Sequence, residues 1–179
     1  MNQQDPKPFL KKFLTSLDAP YISPTQSFPN VEAYAIQFGS NLKRTCAIII
    51  NGQPIIATPH EDAKLQFQKK WLATPLSQHQ LTSFDCHLVP GTGNMVITFS
   101  AKVRFDQSGR NRLGESADLV HDNVGVTRST SSRAVWGSWF GLNATIIVDE
   151  LVINSSEGEI INSLNYRFTY IPEDTILKI

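Results

Sequence analysis

Strict alternation of apolar and polar residues is the feature that most constrains how this chain can fold. In the stretch INSLNYRFTYIP, residues 161–172, one set of alternate positions is large and apolar: Leu164, Tyr166, Phe168 and Tyr170. The intervening positions are polar: Ser163, Asn165, Arg167 and Thr169. Successive side chains of a strand point to opposite faces of a sheet, so this stretch predicts a strand with one face on a core.

Two earlier stretches repeat the pattern and predict two more long strands. The first has alternate apolar residues at Met95, Ile97, Phe99, Ala101, Val103 and Phe105. The second has them at Phe140, Leu142, Ala144, Ile146 and Val148. Together the three stretches predict a sheet with one continuous apolar face, which other elements must cover.

Three segments with helical spacing of apolar residues precede these strands. The first covers residues 6–17 with Asp5 as its N-cap, and the second covers residues 31–42. The third is expected to begin at Thr58, which forms a capping box with Glu61. Helices followed by a run of strands are typical of an α+β fold, in which the helices pack on one face of a strongly curved antiparallel sheet.

Turn signals and length complete this architecture. Asn51-Gly52 predicts a tight hairpin between two β-branched runs. PGTG at residues 90–93 predicts a second hairpin, between the strands TSFDCHLV, which starts at residue 82, and MVITFSAKVRF. The 179 residues fit a single domain over residues 1–179. A long internal loop insertion at residues 106–137 is rich in Ser, Arg, Gly and Asn and has no sustained period. A loop of that length is either functional or disordered.

Composition excludes several classes of protein. The formal net charge is +0, the N-terminus lacks a secretory signal, and no stretch has the roughly 18 to 20 apolar residues that a membrane span needs. Cys46 and Cys86 are too few for a disulfide scaffold and lack zinc-ligand spacing, so we expect both to be reduced and buried in strands. We therefore expect a soluble intracellular protein with no membrane insertion, no metal and no cofactor.

The second face of the predicted sheet is polar but almost without charge. Its small neutral residues are Thr98, Ser100, Asn143, Thr145, Ser163, Asn165 and Thr169. Trp139 and Ile147 lie among them, with the single cation Arg167. A water-facing sheet is usually rich in Lys and Glu, whereas protein interfaces are depleted in charge and enriched in aromatics and Arg. The face is a candidate partner-binding surface in which Arg167 meets a carboxylate; the alternative is a solvated sheet with an incidental arginine.

Catalytic constellations are weak in this sequence. Asp85 and His87 are the most obvious acid–base pair, but Phe84, Cys86 and Leu88 are better candidates for the core, which directs the pair outward. Folds of this type can hold a catalytic pocket between the helices and the sheet, and Asp149 also faces away from that position. His60, His79 and His121 are expected at a helix start or in polar loops. No Ser, His and Asp set remains, so we predict that the protein is not an enzyme. A small-ligand-binding protein or pocket enzyme of dehydratase or isomerase type is the alternative.

These segments together resemble a known family. IIINGQPI, the third helix, WFGLNATIIVDE and EIINSLNYRF look like the nuclear transport factor two-like fold. More narrowly, the chain is similar over nearly its whole length to the fungal mRNA transport regulators, the small subunits of the heterodimeric mRNA export receptor. The internal loop departs from the minimal fold but agrees with the fungal subunit.

The resemblance implies a non-enzymatic role in nuclear export. The chain would pair sheet to sheet with the middle domain of the large receptor subunit and pass through nuclear pores by contacting Phe-Gly nucleoporins. It would then be found in the nucleus and at the nuclear pore complex, and would shuttle to the cytoplasm. An arginine on the last strand of this family pairs with a partner carboxylate, and its context matches Tyr166-Arg167-Phe168.

The resemblance also implies a role in export of the large ribosomal subunit. The loop would then be a candidate RNA or pre-ribosome contact through Arg110, Arg112, Arg128 and Arg133. Its positive charge is diluted by Asp106, Glu115, Asp118 and Asp122, and contacts with phosphates need a net positive field.

Overall fold

A computed structural model describes residues 5–22, 27–114, 134–150 and 158–177. The described helices are α1 (Lys7–Asp18), α2 (Val31–Ala35) and α3 (Ala63–Leu72). The described strands are β1 (Leu42–Ile50), β2 (Gln53–Ile55), β3 (Ser77–Val89), β4 (Asn94–Phe105), β5 (Phe140–Asp149) and β6 (Ile161–Tyr170). This order confirms the predicted α+β fold. None of the described helices is long and apolar enough to cross a bilayer.

The six strands form one sheet in the order β2-β1-β6-β5-β4-β3. Strands β3 to β6 make the predicted antiparallel meander. Strand β1 lies parallel to β6, with Leu42 opposite Ile161 and Ile50 opposite Tyr166, so the prediction of a wholly antiparallel sheet is wrong. The reason is topological: after β1 and β2 the chain crosses through α3 before the meander returns its last strand to the side of β1.

The helices cover the apolar face of the sheet, as the alternation predicts. All the alternate residues predicted to face inward on β4 and β5 are buried. Helix α1 contributes one apolar stripe to the same core: Phe9, Leu10, Phe13, Leu14 and Leu17. Burying a side chain of this size contributes about 1.5–3 kcal/mol, so this interface dominates the stability of the fold.

The end of β6 departs from simple alternation. Leu164 and Tyr166 are buried as predicted, but Tyr170 is 59% exposed. Gly141 pairs with Tyr170 while Leu142 pairs with Phe168, so Thr169 is an extra residue in the ladder. A bulge of this kind re-aims the following side chain, which removes Tyr170 from the core side.

Two helix boundaries also differ from the prediction. Helix α2 ends at Ala35, and a turn containing Gly39, at a φ of +56°, leads directly into β1. Helix α3 is capped by Asp62, whose Oδ1 accepts a hydrogen bond from Leu65 N at 2.8 Å. Thr58 instead accepts from Glu61 N at 3.1 Å, in a turn that precedes the helix. Such side chains bond equally well to the backbone of a turn, which explains the error.

Strand β3 is longer than predicted and less covered. It begins at Ser77 rather than at residue 82, so His79 belongs to a strand and not to a loop. Phe84 and Leu88 are 37% and 51% exposed, so the prediction that they occupy the core is wrong. Cys86 is partly buried and packs against the core. Because β3 is an edge strand, these side chains have a sheet neighbour on one side only. Cys46 is buried as predicted.

Candidate functional site

The face of the sheet opposite the helices, here called the outer face, brings the predicted partner-binding residues together. Strand pairing aligns Thr98, Thr145 and Asn165 in one row across β4, β5 and β6. The next row is Ser100, Asn143 and Arg167. Within the rows the Thr98 and Thr145 hydroxyls lie 3.5 Å apart, and Asn143 Nδ2 donates to Ser100 Oγ at 3.4 Å. These are long, weak contacts, so much of the hydrogen-bonding capacity of this face is unused.

Apart from Arg167 and from Asp85 on the edge strand β3, which pairs with Thr98, the charges that the described residues place on the outer face lie at its ends. At one end Lys43 Nζ lies 2.7 Å from Asp149 Oδ2, and this ion pair lowers the pKa of the carboxyl. At the other end of β4 lie Lys102 and Arg104. In the middle Ser163 pairs with the apolar Ile147, so the centre of the face is neutral and partly apolar.

Arg167 is the exception in this neutral centre. Its side chain is exposed, and within the part of the chain that the structure describes it makes no hydrogen bond or ion pair. It lies opposite Asn143, with Asn165 two positions before it on the same strand face. An exposed guanidinium with five unused donors is suited to a planar carboxylate from outside the chain.

The two remaining predicted residues lie at the border of the outer face. Thr169 is exposed at the bulge of β6. Trp139 immediately precedes β5, and its ring centroid lies 4.6 Å from the Arg104 guanidinium carbon. Arg104 also stands 5.1 Å from the Trp136 ring and donates from Nε to Gln78 Oε1 at 2.8 Å. Arg104 therefore makes cation–π contacts with both tryptophan rings, and these contacts hold Trp139 in place at the border of the outer face.

Arg112, predicted as an RNA contact, lies inside the protein and is only 3% exposed. Its Nη1 donates to Leu17 O at 2.8 Å, and its Nε donates to Trp71 O at 3.1 Å. Its Nη2 donates to Ser77 Oγ at 2.9 Å. Leu17 and Trp71 lie in the last turns of α1 and α3, so one guanidinium neutralises the negative ends of two helices. The prediction for Arg112 is wrong because this side chain is fully engaged in the core.

The rest of the loop is described only at its two ends. Arg110 is partly buried beside Arg112, whereas Arg128 and Arg133 lie outside the described residues. Asp106 is buried and joins the two ends, since its Oδ1 accepts from Ser108 N at 3.0 Å and from Val135 N at 2.8 Å. The Asp106 carboxylate therefore accepts its hydrogen bonds from within the protein.

A buried polar network on the inner side of the sheet was missed by the sequence analysis. His79 Nδ1 lies 2.5 Å from Asp18 Oδ1, and His79 Nε2 lies 2.9 Å from the Tyr166 hydroxyl. Asp18 Oδ2 also accepts from His79 N at 2.7 Å. Alternation alone could not have found it, because extending β3 backwards from Phe84 at period two places His79 on the outer face. The bulge between Leu81 and Ser83 moves His79 to the inner face.

This network is closed to substrates. The His79 side chain is 0% exposed. Burial raises the pKa of Tyr166 well above its usual range, and the Asp18 charge adds to the effect. A histidine that cannot reach solvent or a ligand acts as a structural connector between α1, β3 and β6. Among the described residues no group of three or more His, Cys, Asp or Glu side chains could hold a metal ion.

Comparison with known proteins identifies the family. The profile described as "Nuclear pore RNA shuttling protein Mtr2" matches residues 1–179. The chain belongs to the Mtr2 family. It is 64% identical over 183 residues to the mRNA transport regulator MTR2 of Candida albicans, covering 100% of both chains. It is 32% identical over 177 residues to the Saccharomyces cerevisiae MTR2, covering 96% of this chain and 89% of that protein.

Solved structures agree with this membership of the Mtr2 family. The crystal structure of C. albicans Mtr2 matches with a TM-score of 0.80 and 62% identity over 96% of this chain and 100% of that one. The C. albicans Mtr2–Mex67 M domain complex matches with a TM-score of 0.83 and 63% identity over the same shares. A Caulobacter vibrioides protein with a cystatin-like fold, at 6% identity, a TM-score of 0.50 and coverage of 94% and 88%, shares the fold alone. The family confirms the predicted transport role, as opposed to an enzymatic one.

Proposed function

We propose that this chain is the small subunit of a heterodimeric mRNA export receptor and binds a Mex67-type M domain through its outer face. The observation that carries the proposal is Arg167, an exposed cation at the centre of a neutral sheet face, whose side chain has no partner among the described residues. The similar C. albicans Mtr2 forms a complex with the M domain of Mex67. The complex supports the class of partner, and the position of Arg167 supports the surface.

The chemistry of the outer face favours burial by a folded domain. Small hydroxyl and amide side chains such as Thr98, Thr145 and Asn143 lose little hydration energy when covered, because a partner can replace their water contacts. Arg167 supplies the specificity, since a buried guanidinium requires a partner carboxylate. Trp139, fixed by Arg104, adds a rigid apolar anchor at the border.

Charge reversal at Arg167 tests this proposal. We expect Arg167→Glu to weaken binding of the C. albicans Mex67 M domain by about 2–5 kcal/mol, roughly 30-fold or more, because two carboxylates would then be buried together. Calorimetric titration measures the affinity, and a thermal melt checks the fold. Lys11→Glu, an equal charge reversal on exposed α1, is the matched control and should bind normally. Unchanged affinity of Arg167→Glu would remove Arg167 from the interface.

The heterodimer would carry its cargo through nuclear pores by contacting Phe-Gly nucleoporins and would shuttle between nucleus and cytoplasm. The family description as a nuclear pore RNA shuttling protein supports this step. The test is retention on an immobilised Phe-Gly repeat peptide, comparing this chain alone, the M domain alone and the heterodimer. Retention of none of the three would contradict the proposal.

The loop carries a second candidate function, contact with RNA or with the pre-ribosome. After the exclusion of Arg112, the residues proposed for it are Arg110, Arg128 and Arg133. The RNA transport role of the Mtr2 family supports it. Replacing all three by Gln should reduce the slope of log affinity for single-stranded RNA against log salt by about 2, since each phosphate contact contributes roughly 0.7. An unchanged slope would exclude these contacts.

A further inference from the structure

A cavity of about 290 Å³ lies between α3 and the inner face of the sheet. Its walls are mainly apolar, from Phe67 and Trp71 of α3, Phe105 of β4, Phe168 of β6 and Leu177 near the C-terminal end. The Mtr2 family assignment gives it no role, and the outer face lies on the opposite side of the sheet. It is at the small end of the range of ligand pockets, about 300–1,000 Å³.

The polar groups deep in the cavity are already satisfied. The Tyr166 hydroxyl is bonded to His79 Nε2 at 2.9 Å. Thr74 Oγ1 donates to Trp71 O at 2.6 Å and accepts from Arg112 Nε at 3.2 Å. An apolar group entering the cavity would therefore leave no buried donor or acceptor without a partner.

The lining residues at the opening of the cavity differ from the deep ones, because their side chains have hydrogen-bond donors that no described residue uses. Lys70 and Gln53 are exposed, and within the described part of the chain neither side chain makes a hydrogen bond or ion pair. Asn51 Oδ1 accepts from Phe168 N at 2.8 Å, which fixes the amide orientation and leaves its Nδ2 donors without an acceptor among the described residues. None of the described residues that line the cavity is acidic.

We propose that this cavity binds a small amphipathic acid, with its apolar body between Phe67, Trp71 and Phe168 and its carboxylate at the rim. Lys70 supplies the charge, and the Asn51 and Gln53 amides supply hydrogen bonds. The combination of apolar walls with one cation and two amides at the opening, and with no carboxylate among the described lining residues, selects an anionic head over a neutral or cationic one. The site binds without catalysis, because Tyr166, the one inner titratable side chain among its described lining residues, is held by His79.

Octanoate is the probe, with octanol and octylamine as ligands of equal chain length and different charge. Two-dimensional NMR of the labelled full chain should show shifts of the Asn51, Thr74 and Phe168 amides with octanoate. Octanol should bind about fivefold more weakly, and octylamine should cause no shift at these amides. Extending the carboxylate by one methylene should tighten binding about fourfold while the chain still fits.

Two variants on the same helix separate head recognition from non-specific charge. Lys70→Gln should weaken octanoate about fivefold and leave octanol unchanged. Lys69→Gln is the matched control, because Lys69 pairs with Glu61 and does not line the cavity. It should leave the affinities for both ligands unchanged.

Several outcomes would overturn the proposal. Absence of shifts at the three amides would reject binding in the cavity, and equal affinity for all three ligands would reject an anionic ligand class. Shifts caused by a Phe-Gly peptide but not by octanoate would assign the cavity to a protein side chain instead. Because the comparison of ligands uses the unmodified chain, the proposal is tested even where a variant does not fold.

Discussion

Arg112 and Arg167 show how differently the two faces of one sheet are used. Arg112 belongs to the inner side, where its guanidinium reaches two helix ends and Ser77 and is almost fully buried. Arg167 belongs to the outer face and has no bonded partner among the described residues. The same side chain therefore stabilises the monomer in one place and awaits a second molecule in the other.

The difference follows from the cost of burying polar groups. On the inner side each buried group is matched, as with Asp18, which bonds Ser77, His79 Nδ1 and His79 N. On the outer face the side-chain contacts are long, such as 3.5 Å between Thr98 and Thr145. A buried unmatched donor costs about 1–3 kcal/mol, so the inner set must be complete while the outer set can remain open to a partner.

The largest expected effect is the loss of the inner arginine. Arg112→Met should lower the free energy of unfolding by about 3–5 kcal/mol, because the ends of α1 and α3 lose the buried charged donor that neutralises them. The carbonyls of Leu17 and Trp71 keep neutral donors in Trp71 Nε1 and Thr74 Oγ1. Urea unfolding followed by circular dichroism measures the change. Arg167→Met is the matched control and should stay within about 0.5 kcal/mol. Equal effects of the two variants would break the contrast between the two faces.

The next largest effect should be a loss of folding stability at high pH, caused by buried groups on the inner side of the sheet. Burial raises the pKa of the Cys46 thiol from 9.0 to about 12, and it raises the pKa of Tyr166 well above 10.0. Both groups stay neutral in the folded protein at pH values where they ionise in the unfolded chain. Their contribution to the free energy of unfolding is therefore complete below the unfolded pKa and is lost as the pH rises above it. Each group adds a slope of about 1.4 kcal/mol per pH unit within its window.

Variants assign that alkaline loss to individual groups. Cys46→Ala should flatten the pH dependence of unfolding from pH 9 upward, whereas Tyr166→Phe should flatten it only above pH 10. Urea unfolding at a series of pH values measures both slopes. If both variants kept the slope of the unmodified chain, neither group would be the origin of the loss.

A smaller effect should come from the hydroxyl of Tyr166 at neutral pH. Tyr166→Phe leaves His79 Nε2 buried without its partner and should cost about 1–2 kcal/mol. Tyr170→Phe removes the same atom from an exposed ring with no bonded partner among the described residues, and should change stability by a few tenths of a kcal/mol. Denaturant midpoints of the two variants measure the difference. Equal midpoints would show that the His79 contact adds no stability.

Period-two patterning was sufficient to predict the centre of the sheet. Strands β4 and β5 alternate over their whole length, and every predicted inward residue on them is buried. The same pattern placed the outer-face residues of β4, β5 and β6 side by side, because fixing one face of a strand fixes the other. The sequence could not predict the parallel pairing of β1 with β6, since strand order depends on how the chain crosses the sheet.

The inner arginine shows the other limit of the sequence. Arg112 stands in a mostly polar loop without the apolar alternation that marks a buried strand, and its partners come from α1, α3 and β3. Contacts that join residues far apart in the chain leave no local signal. His79 was hidden for a local reason, because the bulge between Leu81 and Ser83 reverses the alternation of β3 before it reaches His79.

The smallest effect on stability, combined with a large effect on binding, should come from the middle of the outer face. Thr145→Glu places a carboxylate between Thr98 and Asn165. The isolated chain should change by about 0.5 kcal/mol or less, because water still reaches that row. Binding of the C. albicans Mex67 M domain should fall at least tenfold, since an unpaired charge would be desolvated at the interface centre.

Gln80→Glu, at the exposed edge strand β3, puts the same charge on the border and should bind nearly normally, because border charges stay hydrated. If both variants bind as the unmodified chain does, the outer face is a solvated surface and the partner docks elsewhere; if Gln80→Glu alone fails, the interface is centred on the edge strand instead.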